Sequence, residues 1–204
     1  MIRATFSMAA ALVCGFLPDL AAAQAVGGKP APAFSAVNSD GKAVTLAEFK
    51  GKTVVLEWTN HDCPYVRKHY GAGNMQALQA EARANGVIWL SVISSAPGSQ
   101  GFVSGLEANK LSDDRKAKPT AVLLDPKGSV GKQYGATATP HMFVIGPDGT
   151  LVYGGAIDNK ATTNAADIKT ARNYVRDALT AVAAGTPMSP AQTRAYGCSV
   201  KYGS

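Results

Sequence analysis

The chain has 204 residues, a formal net charge of +6 and an apolar content of 46%. That length gives one domain with a real core and is too short for two comfortable ones. The charge is spread over the chain rather than gathered in a basic run interleaved with aromatics, so the composition gives no support for nucleic-acid binding.

Residues 1–23 read as a secretory signal peptide. Arg3 precedes a small and apolar run from Met8 to Leu17, and Ala21-Ala22-Ala23-Gln24-Ala25 offers small residues for cleavage after Ala23 or Ala25. The run is too short to span a bilayer as a helix, so no stable membrane insertion is expected after cleavage. The expected location is secreted, in the periplasm. Removal of the leader takes away Arg3 and Asp19 together, and the net charge stays +6. It also removes Cys14, leaving Cys63 and Cys198 as the mature pair. In an oxidising compartment two such cysteines read either as a structural disulfide or as a reactive cysteine with a resolving partner. Composition does not choose between them.

Downstream, Phe34–Val37 and Ala43–Thr45 read as a short hairpin around Asn38–Lys42, followed by a helical turn over Leu46–Phe49. Thr53–Trp58 is β-branched and nearly continuous, as a buried parallel strand should be. A helix follows Cys63, with an interruption at Gly71-Ala72-Gly73-Asn74. Asn74 is expected to cap a second helix, Met75–Asn85, which Gly86 ends. Then come a strand at Val87–Ile93, a polar loop, a helix at Phe102–Leu111, a strand at Thr120–Leu124 and a short helix at Val130–Tyr134. His141–Ile145 and Leu151–Gly154 form a hairpin around Gly146-Pro147-Asp148-Gly149-Thr150. One long helix is expected from Ala165 to Ala184, with Ile168, Ala171, Val175, Leu179 and Val182 on its apolar stripe. The domain runs over residues 27–185, and residues 186–204 form a Pro-, Gly- and Ser-rich, flexible-looking tail that carries Cys198. This order predicts an α/β fold with a right-handed parallel β-α-β unit and a mixed sheet.

The chemistry concentrates at Trp58-Thr59-Asn60-His61-Asp62-Cys63-Pro64. A cysteine between a strand and a helix, followed by proline at the first helical position, faces free backbone N–H groups and the positive end of the helix dipole. That setting favours thiolate, which makes Cys63 the candidate nucleophile. Arg67, one turn on, is a candidate thiolate stabiliser. Asp62 is expected to cap the helix. Trp58 reads either as a core residue or as a wall of the substrate pocket, and His61 either as a surface loop residue or as a second pocket candidate. Cys198, 135 positions further along, is the candidate resolving cysteine.

The sequence resembles the thioredoxin-like superfamily, and within it the alkyl hydroperoxide reductase/thiol-specific antioxidant (redoxin) family and its peroxiredoxin-like secreted branch. The resemblance rests on Asn60-His61-Asp62-Cys63-Pro64-Tyr65-Val66 after an apolar strand, Pro30–Phe34 with Asp40-Gly41-Lys42 and Leu46–Phe49, Thr139-Pro140 before a strand, and Tyr196-Gly197-Cys198-Ser199-Val200-Lys201. It implies a thioredoxin-like fold with a central mixed sheet flanked by helices and an N-terminal hairpin extension. It implies a cis bond at Pro140, with Thr139 opposite Cys63 offering its backbone to a bound peptide or thiol. It also implies a thiol oxidoreductase that needs no bound cofactor or metal, with a thiol, disulfide or peroxide substrate and an electron donor of unstated identity. Two departures matter. Val66 stands where thioredoxins carry their second cysteine, and Asn60, with Thr59 one earlier, where peroxiredoxins carry their peroxide-orienting threonine, so the resemblance makes Thr59 and Asn60 the candidate substitutes in the catalytic group. Two other classes remain open on sequence: a redox-inactive binding module with a structural disulfide, and a copper-handling protein using Cys63, His61, His69 and Met75.

Overall fold

A computed structural model describes residues 27–203. The signal-peptide segment lies outside the described residues. The strands are β1 Ser35–Asn38, β2 Ala43–Thr45, β3 Val54–Trp58, β4 Ile88–Ile93, β5 Ala121–Leu124, β6 Ala138–Thr139, β7 His141–Ile145, β8 Leu151–Gly155 and β9 Cys198–Ser199. The α-helices are α1 Pro64–Gly71, α2 Asn74–Ala84, α3 Gly105–Asp114, α4 Ser129–Tyr134 and α5 Tyr174–Ala184. Seven strands form one mixed sheet in the order β2-β1-β5-β4-β3-β7-β8. The pairs β3/β4 and β4/β5 are parallel, while β1/β5, β3/β7 and β7/β8 are antiparallel. This is the thioredoxin-like arrangement that the sequence implied, and the N-terminal hairpin is part of the main sheet through β1/β5.

Side-chain alternation on β3 sorts the core into two layers. Val55 packs with Val66, Tyr70, Leu78 and Val175 on the face covered by α1, α2 and α5. Val54, Leu56 and Trp58 point the other way, toward Phe34, Val130, Tyr134 and Phe143. All five β3 residues are buried, as a central strand covered on both faces requires. Glu57 is therefore a carboxylate in the interior. It accepts hydrogen bonds from Tyr70 Oη at 2.8 Å, Gln79 Nε2 at 3.1 Å, Trp89 Nε1 at 2.8 Å and Ser91 Oγ at 3.1 Å. Burial raises its pKa, against the lowering effect of those donors.

Several local expectations need correction. The cap of α2 is Gly73, at φ +73°; Asn74 is the first helical residue, and its carboxamide nitrogen meets His69 Nδ1 at 2.9 Å. The helix expected over Phe102–Leu111 starts later, because Ser104 and Glu107 form a reciprocal capping box that fixes its entry. The long helix expected from Ala165 is broken. Ala165–Thr170 is a 3₁₀ segment and Ala171 is extended. The side chain of Asn173 then accepts from the Arg176 N–H to start α5, while Asn159 takes the Arg172 N–H. Such local side-chain bonds compete with continued helix. The buried face of α5 is Val175, Ala178 and Ala181, with Leu179 and Val182 only partly buried against it.

The C-terminal tail is no loose appendage. Gly154 N–H donates to Ala191 O, Ala156 N–H to Thr193 Oγ1, Val200 N–H to Thr137 O, Ala96 N–H to Lys201 O and Tyr202 Oη to Ala136 O. Hydrogen bonds at this density satisfy the backbone of a segment that has little helix or strand of its own.

Candidate functional site

Cys63 occupies the N-cap position of α1, with φ −72° and ψ 123°, and Pro64 is the first helical residue. The turn that delivers it is closed by Cys63 N–H to Asn60 O at 3.1 Å. Asn60 is fixed in turn. Its Oδ1 accepts the Asp62 N–H at 2.9 Å and its Nδ2 donates to Gln100 O at 3.2 Å. Asn60 therefore clamps the Cys63 turn to the loop after β4.

The Thr139–Pro140 bond is cis. Cys63 Sγ donates to the Thr139 carbonyl at 3.1 Å. Two-stranded ribbon β6/β9 brings Cys198 to the same place, with Thr139 and Cys198 as antiparallel partners. Cys198 packs against the cluster that contains Cys63, and both are free thiols. The structure thus brings together Cys63, Thr139, Pro140 and Cys198.

The two thiols are electrostatically unequal. Burial opposes ionisation of Cys63, but hydrogen bonds from the Cys198 and Thr139 side chains and from the Val66 N–H outweigh it and lower its pKa. Burial, and then the adjacent Cys63, push Cys198 up to about 11, against a weak opposing pull from Lys201. The two shifts run in opposite directions, so Cys63 is the more readily ionised of the pair and Cys198 the less. Access runs the other way. Cys63 is 0% exposed, and Cys198 is only partly covered.

The remaining sequence candidates lie elsewhere. Arg67 Nε donates to His61 O at 3.1 Å and its Nη2 pairs with Asp62 at 3.0 Å. Its guanidinium turns back over the loop rather than onto Cys63, because a nearer carboxylate is available. Asp62 gives no side-chain cap to α1; its carboxylate is taken by Arg67 and by His61 at 3.5 Å. Trp58 is fully buried, donates to Ser94 Oγ at 3.0 Å and packs on Tyr134 and Phe143, so it builds the core rather than a pocket wall. Thr59 is buried, and its hydroxyl has no hydrogen-bond partner among the described residues. Among the described residues, no group of three or more His, Cys, Asp or Glu is arranged to hold a metal. His69 is occupied by Asn74 and by Tyr196 Oη, and Met75 lies in the core.

Sequence reasoning missed a second buried network under the tail. Lys68, His69, Asp158 and Tyr196 converge. Tyr196 Oη donates to Asp158 Oδ1 at 2.6 Å, Lys68 Nζ donates to Lys160 O at 2.9 Å, and both Lys68 Nζ and His69 Nε2 lie 3.9 Å from Asp158 Oδ2. Tyr196 also packs on Tyr65 of α1 at a tilt of 59°, with ring centroids 5.7 Å apart. This network anchors the chain two residues before Cys198. The available signal was the lysine-histidine pair inside α1, on a face that the helix buries.

The sequence matches the family model described as Redoxin over residues 26–173. The chain belongs to the redoxin family. No curated protein matches it in sequence. Among solved structures, this redoxin is similar to a hypothetical protein from Sinorhizobium meliloti 1021, at 22% identity and a TM-score of 0.74, covering 89% of this chain and 97% of that one. It is similar to an uncharacterized conserved protein from Geobacillus kaustophilus, at 25% identity and a TM-score of 0.73, covering 87% and 93%. It also resembles the Chlorobium tepidum protein assigned as a thiol:disulfide interchange protein, DsbE, at 25% identity and a TM-score of 0.52, covering 64% and 85%. Among the described residues of this redoxin, no helix is long and apolar enough to cross a membrane.

Proposed function

We propose that this redoxin is a thiol–disulfide oxidoreductase whose working pair is Cys63 and Cys198. The observation that carries the reading is the register Thr139↔Cys198, which lays the tail cysteine against the helix-start cysteine beside the cis-proline loop. Family membership and the likeness to the DsbE-assigned protein support the same chemistry.

In the reduced form the tail covers Cys63, so oxidation begins with opening of the β6/β9 ribbon. The Cys63 thiolate attacks a substrate disulfide and forms a mixed disulfide, releasing the first substrate thiol. Reclosure returns Cys198 to Cys63. Its sulfur displaces the second substrate thiol and leaves a Cys63–Cys198 disulfide. Two thiols are oxidised and one disulfide is reduced. The loops and the tail supply position; no bound cofactor takes part.

The test is peptide mapping without reductant after the protein meets an equimolar small disulfide. A Cys63–Cys198 linkage in the native chain, with a persistent mixed disulfide on Cys63 in Cys198→Ser, is expected. A Cys63 that stays reduced throughout would sink the reading.

Peroxide reduction at Cys63 is the second reading. One observation favours it: the buried, unpartnered hydroxyl of Thr59, four residues before the thiol. Equal peroxide consumption by the native chain and Thr59→Val would take Thr59 out of this reading, and consumption by the native chain no faster than by Cys63→Ser would remove the reading itself. The reading extends to an exported protein, on the strength of the leader at 1–23; the N-terminal sequence of the mature chain tests cleavage after Ala23 or Ala25.

A further inference from the structure

Resting on the exchange reading, the geometry points to Cys198, not the helix-start Cys63, as the sulfur that an external thiolate attacks in the oxidised protein, with the Lys201 ammonium drawing the anion in and Cys63 leaving.

The first argument is access. Cys63 is 0% exposed beneath the tail. Oxidation makes this cover permanent. Opening of the ribbon uncovers Cys63 in the dithiol form, but a Cys63–Cys198 bond ties the tail shut over it. A cleft of about 850 Å³ beside the tail offers no alternative route. It is lined by Gly197 and Ser199 but not by Cys198, so by strand alternation it lies on the face of β9 away from the thiol pair. Cys198 keeps partial exposure.

The second argument is charge. Lys201 is near enough to Cys198 to favour its thiolate, and its Nζ donates to Ser199 Oγ at 3.0 Å. Among the described residues Lys201 has no ion-pair partner. A free ammonium beside a sulfur attracts an incoming thiolate to that sulfur.

The third argument is the leaving group. Disulfide cleavage is faster when the departing thiol has the lower pKa. The Thr139 side chain and the Val66 N–H remain on Cys63 when the two sulfurs are joined and lower the pKa of the thiol that departs, whereas burial raises that of Cys198.

The step balances as an ordinary exchange. The donor sulfur bonds to Cys198 Sγ, the Cys63–Cys198 bond breaks, and its electron pair stays on Cys63. A second thiol of the donor then attacks the first donor sulfur. Cys198 departs and takes up a proton from water. The required co-reactant is a dithiol. Oxidant and reductant therefore meet different sulfurs: a substrate disulfide reacts at Cys63 in the open, reduced chain, and the reducing dithiol reacts at Cys198 in the closed, oxidised chain.

The experiment uses the full mature chain, oxidised to the intramolecular disulfide and treated briefly with glutathione. Acid stops the reaction, a maleimide marks free thiols, and peptide mapping places each label. Glutathione on Cys198 with maleimide on Cys63, in at least about tenfold excess over the reverse, is expected. Glutathione on Cys63 overturns the inference while leaving the exchange reading intact. Failure of the chain to form the Cys63–Cys198 bond at all removes both. In a parallel arm, Lys201→Gln should slow glutathione attack about two- to threefold at low ionic strength, the gap closing at high salt. An unchanged rate removes Lys201 from the assignment.

Discussion

Gly197 lies against the carbonyl of Thr139, at φ +129°, with no room for a Cβ between them. This contact lets β9 approach the cis-proline loop closely enough for Cys198 to reach Cys63. A side chain here would meet main-chain atoms, which have nowhere to go, in a backbone conformation that L-residues avoid.

Gly197→Ala should therefore lift the tail locally and leave the domain folded, because the sheet and both core layers lie elsewhere. In the reduced protein, alkylation of Cys63 should accelerate about tenfold or more, corresponding to at least ~1.4 kcal/mol lost from the closed state. Mass-resolved alkylation kinetics check this. A native-like rate would mean that Gly197 does not set the cover.

The Tyr196 hydroxyl is the second fastening. It donates to Asp158 and lies 3.3 Å from His69 Nε2, two residues before Cys198. Tyr196→Phe keeps the ring contact with Tyr65 but leaves Asp158 short of a donor, at a cost of about 1–3 kcal/mol. Reduced thermal stability together with faster Cys63 alkylation is expected. Lower stability with unchanged alkylation would show that the network supports the domain and not the tail.

Acid should loosen the same region. Burial lowers the His141 pKa to about 4, and Nδ1 accepts the Thr137 N–H, so the ring is neutral in the folded protein. A folded pKa below the unfolded value of about 6.5 gives stability that is complete above pH ~6.5 and lost as pH falls through about 4. His69 is also lowered to about 4, first by burial and against the opposing pull of Asp158, so it acts in the same direction. Urea unfolding between pH 7 and pH 4 should show a loss on the order of 3 kcal/mol from His141 alone. A flat profile would contradict the neutral assignment.

How much of this was legible depends on sequence distance. The helix-start placement of Cys63 is a local property of a strand, a turn and Pro64, and the sequence carries it in full. The sheet is legible for the same reason: the apolar runs and turn residues lie within each hairpin or β-α-β unit. Cys198 was visible as a cysteine but not as a neighbour of Cys63, because the pairing depends on hydrogen bonds from Ala191 to Tyr202 that reach across the whole domain. Composition made that stretch look loose. Arg67 shows the opposite error. Its spacing from Cys63 suits a thiolate partner, yet the Asp62 carboxylate takes it first. Trp58 was misplaced because aromatic residues look alike in core and cleft until the faces of β3 are assigned. Glu57 was passed over inside an apolar run, although a lone carboxylate in such a run is itself a signal.

Glu57→Ala would leave the Tyr70, Gln79, Trp89 and Ser91 donors without their shared acceptor, and the cost should be large. Each buried group left unpaired costs about 1–3 kcal/mol, partly recovered by relaxation, so a total loss of about 3–5 kcal/mol is expected in urea denaturation. A loss below about 1 kcal/mol would mean that water fills the space and the network contributes little.

Cys198→Ala and Arg67→Ala separate the two accounts of why Cys63 ionises. If the tail thiol is a principal donor, its removal should raise the Cys63 pKa, moving it toward or above the free-thiol value of about 8.5. If Arg67 stabilised the thiolate, its removal would do the same. Arg67 is largely exposed and already paired with Asp62, so Arg67→Ala should leave the Cys63 pKa within about 0.3 unit of native. Thiolate absorbance against pH reads both variants, and pH-dependent alkylation of Cys63 provides an independent check. A large shift in Arg67→Ala with none in Cys198→Ala would return the activation of Cys63 to the helix surface and deny the tail its electrostatic part. The outcome also bears on reversibility. Cys198 lowers the Cys63 pKa only as a free thiol, so that help is lost once the two sulfurs are joined and returns only when an external thiol has released Cys63 and Cys198 has been freed and protonated again.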